Sequence, residues 1–108
     1  MATVKWTTGA KDARKKLYLQ GFIQFGSFTA QKTAKRIETI ADKLERFPEL
    51  GYREPLLEGL IPIYRACQIN KRFKIIYWYN NDNNEVIIED IWDVHRAPQN
   101  LINRIAKE

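Results

Sequence analysis

Residues 61–98 carry the side chains best suited to chemistry in this chain: Arg65 and Lys74 within β-rich runs, and His95 and Arg96 in the tail Asp93-Val94-His95-Arg96-Ala97-Pro98. A sheet that displays cations and ends on a basic tail offers a surface for an anion, either RNA or an acidic protein. His95 is the one histidine, and imidazole, with an ordinary pKa of about 6.5, suits proton transfer near neutral pH. One histidine and one cysteine, Cys67, are too few for a zinc site, and a lone cysteine closes no internal disulfide. No metal and no cofactor is therefore expected.

Three strands must position these groups. Ile61 to Ile69, Phe73 to Tyr79 and Val86 to Trp92 are rich in β-branched and aromatic residues, and Asn70-Lys71-Arg72 and Asn80-Asn81-Asp82-Asn83-Asn84 join them as an antiparallel meander. If the first hairpin turns at Lys71 and Arg72, Asn70 pairs with Phe73, Ile69 with Lys74, Cys67 with Ile76 and Arg65 with Trp78. Side chains alternate with period two, so this register puts Arg65 and Lys74 on one face. A second turn centred on Asp82 and Asn83 adds Ile87, Glu89 and Ile91 to that face, with Asp93 and His95 if the strand continues. The plainer alternative pairs Arg65 and Lys74 with Glu89 or Asp93 on a solvated sheet. Tyr64, Tyr77, Trp78 and Tyr79, at alternating positions, are read as structural before base-stacking.

Ahead of the meander, Thr3 to Thr7 reads as a short strand and Ala10 to about Phe25 as a helix with an Ala10, Ala13, Leu17 stripe, which Gly21 weakens by about 1 kcal/mol relative to Ala. Gly26-Ser27-Phe28-Thr29 supplies a stop and a new N-cap. Ala30, Ala34, Ile37, Ala41 and Leu44 then define the buried face of a second helix. Pro48 disfavours helical geometry at Phe47, and the segment to Gly59 is expected to be a linking loop. Gln99 to Lys107 can add a short terminal helix. The expected fold is a single α+β domain, residues 1–108, in the order β-α-α-β-β-β. Its first strand lies at the sheet edge, and its helices cover one sheet face while the other stays partly open.

The composition, 44% hydrophobic and 29% charged, is that of a soluble folded domain, and neither a membrane span nor a signal peptide is evident, which points to the cytoplasm. Net charge is +5. Residues 10–46 hold nine Lys or Arg against four Asp or Glu, whereas residues 85–108 hold three against five, so the cationic surplus sits on the helices. Most of those lysines and arginines read as solvated helix faces, whose field still steers acidic partners.

The order strand, two helices, three strands resembles the RelE/ParE superfamily of bacterial toxins, with Trp6 in the first strand, Leu44-Glu45-Arg46-Phe47-Pro48-Glu49-Leu50-Gly51 after the second helix, Tyr64-Arg65, Lys74-Ile75-Ile76-Tyr77 and Ile91-Trp92-Asp93-Val94-His95-Arg96-Ala97-Pro98. The likeness spans nearly the whole chain and rests on the order and spacing of motifs that are each short. A double-stranded-RNA-binding module fits less well, because it places a single helix before its strands.

The resemblance implies a toxin held inactive by an antitoxin, here an acidic one, and leaves open two actions. A RelE-like toxin cuts messenger RNA on the ribosome, using the RNA 2′-hydroxyl as nucleophile. On this sequence the RelE-like pattern makes Arg65 a phosphate clamp, Lys74 a compact cation for the developing charge, and His95 or Arg96 the remaining catalytic groups. A ParE-like toxin binds and poisons DNA gyrase with no chemistry of its own. Two positions depart from the RelE-like pattern: Cys67 stands where a second strand lysine is common, and no tyrosine follows Arg96. An inactive relative kept for antitoxin binding is the third reading.

Overall fold

The computed structural model describes residues 1–106. Thr7 starts the first helix: its Oγ1 accepts from the Ala10 N–H at 3.1 Å, satisfying a donor that a helix start otherwise leaves unpaired. Helix α1, Thr8–Phe25, therefore begins two residues before the apolar stripe suggests, and α2, Ser27–Arg46, follows after a single glycine. Gly26 has φ of 89°, a backbone conformation that side chains with a Cβ resist, and this permits the sharp reversal between the helices. On α2, Ala30, Ile37, Ile40 and Leu44 are buried while Ala34 and Ala41 are half-buried, so the expected face is the packed one.

The sheet has five strands in the order β1-β5-β4-β3-β2: β1 Thr3–Trp6, β2 Tyr52–Arg53, β3 Tyr64–Gln68, β4 Phe73–Asn80 and β5 Glu85–Asp93. β1 lies at one edge, parallel to β5, and the other strands pair antiparallel. The segment expected as plain loop up to Gly59 instead supplies β2, which pairs Tyr52 with Ala66 and Arg53 with Arg65, and a short 3-10 turn at Pro55–Leu57. Helix α3, Pro98–Ala106, closes the described chain, and Lys107, placed in this helix from sequence, lies outside the described residues.

α1 and α2 cover one sheet face, where Ile75, Tyr77, Val86, Ile88 and Ile91 pack with Ile37, Ile40 and Leu44. α3 and the 3-10 turn cover part of the other, packing Leu101 and Leu57 against Ala66, Ile76 and Trp92. Each large buried side chain contributes roughly 1.5–3 kcal/mol of transfer free energy, so both layers hold the sheet.

The register corrects one expectation. Ile69 N–H donates to the Phe73 carbonyl, so the first hairpin turns through three residues, Asn70 to Arg72, rather than two. Asn70 makes the extra residue fit, because its Oδ1 accepts from the N–H groups of both Arg72 and Phe73 at 2.9 Å. Gln68 then pairs with Lys74, and Arg65 with Tyr77. A slip of one residue inverts the face of every side chain that follows, so Arg65 faces the helices with Tyr77 while Lys74 faces the opposite side with Ile76. The second hairpin follows the expected register from Asn80–Glu85 to Tyr77–Ile88. A bulge then intervenes, Ile76 pairing with Asp90, which turns Ile91 and Asp93 toward the helices and leaves Ile87 on the other face.

Candidate functional site

Of the four residues singled out from the sequence, Arg65 lies on the helix-covered sheet face, whereas Lys74 and Arg96 line one groove on the other, with His95 in the turn beside Arg96. Arg65, largely buried, donates from Nη1 to the Gly51 carbonyl at 2.9 Å and from Nη2 to Glu49 Oε2 at 3.2 Å. It thereby ties the loop after α2 to the sheet. Gly51 is held from the opposite side too, its N–H donating to the Tyr77 hydroxyl at 2.8 Å. A Cβ at Gly51 would fall 2.6 Å from the Ala66 carbonyl oxygen, so the close approach requires glycine. Burial pushes the Tyr77 hydroxyl up to about 12, which keeps it neutral and able to hydrogen-bond.

Lys74 lies on the other face, its ammonium against Glu54 Oε1, with both side chains buried. Glu54 also accepts from the Leu56 N–H through Oε2 at 3.0 Å, so the same carboxylate caps the 3-10 turn and neutralises the lysine. A charge taken out of water needs such a partner, and here the pair fastens the β2 segment to the sheet centre.

His95 and Arg96 are exposed beyond the end of β5. Asp93 shapes this turn: its Oδ1 accepts from the His95 N–H at 2.9 Å, and its carbonyl accepts from the Arg96 N–H at 3.1 Å. Arg72 donates through Nε and Nη2 to Asp93 Oδ2 at 3.1 and 2.9 Å, and these bonds hold the Asp93 carboxyl below its ordinary range. The Arg96 guanidinium stacks 5.1 Å from the centre of the Trp92 ring. Asp90, buried beneath, faces Arg104 of α3 at 3.0 Å, and burial raises its pKa despite the nearby guanidinium. Cys67 is buried and its thiol is pushed up to about 11 by burial, so it is no thiolate nucleophile. Among the described residues no group of three or more His, Cys, Asp and Glu is placed to hold a metal ion.

The hairpin of α1 and α2 carries a surface that the stripe of Ala10, Ala13 and Leu17 did not indicate. A groove of about 540 Å³ is floored by Trp6, Leu17, Tyr18, Ala30, Ala34 and Ile37, and rimmed by Lys11, Arg14 and Lys15. Arg14 lies 4.7 Å above the Trp6 ring. Toward the hairpin turn, Leu19, Phe22, Ile23, Phe25 and Phe28 are exposed, Ile23 and Phe28 by 80%. Residues 13–37 hold six Lys or Arg and no Asp or Glu. The signal was present in α1, where Tyr18, Leu19, Phe22, Ile23 and Phe25 extend the apolar residues around the helix well beyond one stripe. Exposed apolar surface with a single-sign rim fits an acidic partner with an apolar face. No helix among the described residues is long and apolar enough to cross a membrane.

The family model described as "ParE toxin of type II toxin-antitoxin system, parDE" matches residues 4–98. No curated protein matches by sequence. Among solved structures, the chain is similar to the chromosomal ParDE toxin–antitoxin system of P. aeruginosa, with a TM-score of 0.68 and 20% identity over 86% of this chain and 96% of that one. A metal-bound toxin from Helicobacter pylori gives 0.66 at 17% identity, covering 86% of this chain and 94% of that one. The YoeB/ParE toxin from Agrobacterium tumefaciens gives 0.59 at 17% identity, covering 84% and 96%. At these identities the structures establish likeness of fold.

Proposed function

The chain belongs to the ParE toxin family of type II toxin–antitoxin systems, and on that premise we propose that it acts by binding, disabling DNA gyrase without chemistry of its own. One observation carries this reading. Arg65 and Lys74 lie on opposite faces of the sheet, and Lys74 is buried against Glu54. Cleavage of RNA through its 2′-hydroxyl requires cations converging on one phosphate at hydrogen-bonding distance. Here Arg65 is engaged by Gly51 and Glu49 on one face, and Lys74, which shares a groove with Arg96 on the other, is engaged by Glu54. Both cations serve to fasten the loop between α2 and β3.

As the toxin of such a pair, the protein has an antitoxin for a partner. The hairpin groove, apolar along its floor and cationic at its rim, suits an acidic antitoxin segment that buries an apolar face there.

Purified toxin added to a gyrase supercoiling assay is expected to block supercoiling, and the same preparation added to translating ribosomes is expected to leave messenger RNA intact. Messenger cleavage that disappears in His95→Ala or Arg96→Ala, with gyrase unaffected, would overturn the proposal. The catalytic role for Arg65, Lys74, His95 and Arg96, with ribosome and messenger RNA as partners, would then stand in a form resting on the two exposed residues.

A further inference from the structure

At the end of the sheet where β4 begins and β5 finishes, a groove of about 430 Å³ opens between α1 and the turn after β5. Four cationic side chains from four separate segments line it: Lys16 of α1, Arg72 of the β3–β4 turn, Arg96 of the turn after β5 and Arg104 of α3. The carboxylates on its walls are Asp12 and Asp93, and Asp90 lies behind Arg104. We propose that this groove is a binding site for phosphate groups, either of a nucleic-acid backbone or of a free phosphorylated molecule.

Four cations face three carboxylates when Asp90 is counted, so net charge alone would be a weak case. The donors that remain available make it stronger. Arg72 engages Asp93 through Nε and Nη2, which leaves Nη1 outside that pairing. Arg104 engages Asp90 through Nε at 3.0 Å and Nη2 at 3.2 Å, again sparing Nη1. Both guanidiniums are thus held by a carboxylate with the two N–H donors of Nη1 outside that pairing. Among the described residues, neither Lys16 nor Arg96 has a carboxylate within 4.0 Å, and Arg96 is oriented by its stack on Trp92. A phosphate binds best to guanidiniums that are already oriented and to a compact ammonium beside them, because less side-chain freedom is given up on binding.

The site shares only Arg96 with the residues weighed above for RNA cleavage, and its readout involves neither gyrase nor ribosome. It therefore stands or falls separately from the proposed target. The test uses the full-length toxin and a short fluorescein-labelled DNA duplex, with inorganic phosphate and adenosine monophosphate as competitors. The double variant Lys16→Gln/Arg96→Gln removes the two cations that have no carboxylate partner. Lys32→Gln/Lys35→Gln removes the same charge from exposed positions on α2. The expected result is duplex binding weakened about tenfold or more by the groove variant and by less than about twofold by the α2 variant. The log–log salt slope should become shallower by about 0.9 for each phosphate that the groove variant no longer neutralises. Displacement by adenosine monophosphate, or phosphate binding without duplex binding, identifies the free phosphorylated molecule as the source and upholds the site. Equal weakening by the two variants, or binding of neither duplex nor phosphate by the wild type, overturns it. Matching circular dichroism spectra confirm that the variants are folded.

Discussion

Lys74 and Lys35 show how differently the sheet and the helical hairpin use positive charge. Lys74 sits at the sheet centre with a side chain 10% exposed and its ammonium against Glu54, whereas Lys35 on α2 is 75% exposed and reaches Glu38 only at 4.0 Å. The sheet half supplies the residues that look most chemical in the sequence, yet two of them, Arg65 and Lys74, are engaged in holding segments together. The hairpin, whose lysines read as an ordinary solvated face, presents its cations to solvent beside an apolar groove. A cation anchored inside the protein stabilises it, while a cation beside exposed apolar surface is available to a partner.

Breaking the sheet side of this contrast should give the largest effect. Replacing Glu54 with Leu strands the Lys74 ammonium in a buried site, and the expected loss is about 3–5 kcal/mol, read from the urea midpoint. Adding Lys74→Met should recover most of it, since removing both charges leaves nothing uncompensated. A loss below about 1 kcal/mol for the single variant would show that Lys74 is free to act elsewhere.

Gly51→Ala tests the loop that Arg65 and Tyr77 hold. The added methyl would meet the Ala66 carbonyl oxygen at 2.6 Å and Tyr77 Cε1 at 2.8 Å, and overpacking of this kind costs about 1–3 kcal/mol. Thermal melting checks it.

The acid limb of stability should separate the two aspartates near the end of β5. Asp93 has a folded pKa below its ordinary 3.8, so the stability it contributes is present above 3.8 and is lost as pH falls through the lower folded value. Asp93→Asn should therefore flatten the decline on acidification. Asp90 has a raised folded pKa, so the folded state holds its proton more tightly than the unfolded chain, and stability falls as pH rises from 3.8 through the folded value. Asp90→Asn should remove that fall, and urea titrations across the acid range distinguish the two signs.

The smallest stability effect is expected on the hairpin. Lys32→Ala and Lys35→Ala should each change unfolding free energy by no more than about 0.5 kcal/mol. The same pair should weaken antitoxin association, with a salt dependence reduced relative to the wild type, in a binding titration. A stability loss comparable to that of the Glu54 variant would erase the difference between the two regions.

Much of this was legible in the residues. The α2 face from Ala30 to Leu44 follows from 3.6-residue spacing, and the second hairpin follows from the polar run Asn80 to Asn84 centred on Asp82 and Asn83. The β2 pairing of Tyr52 and Arg53 was not legible, because two residues are too few to show a period. The hairpin surface was partly legible in the apolar residues from Tyr18 to Phe25, but period alone does not tell which apolar residues of a helix remain uncovered.

The sequence by itself determined the order of the elements other than β2 and the 3-10 turn, the positive hairpin, the lone cysteine and histidine, and the resemblance that led to a toxin. These depend on local spacing and composition, which neighbours in the chain express directly. Only the tertiary structure decided where the chemical-looking residues point. The Asn70 side chain holds the three-residue turn, and the bulge between β4 and β5 falls at Ile76 and Tyr77, where no turn residue marks it in the sequence. Because strand side chains alternate, each of those single-residue choices reversed a face: the three-residue turn separated Arg65 from Lys74, and the bulge turned Ile91 and Asp93 toward the helices.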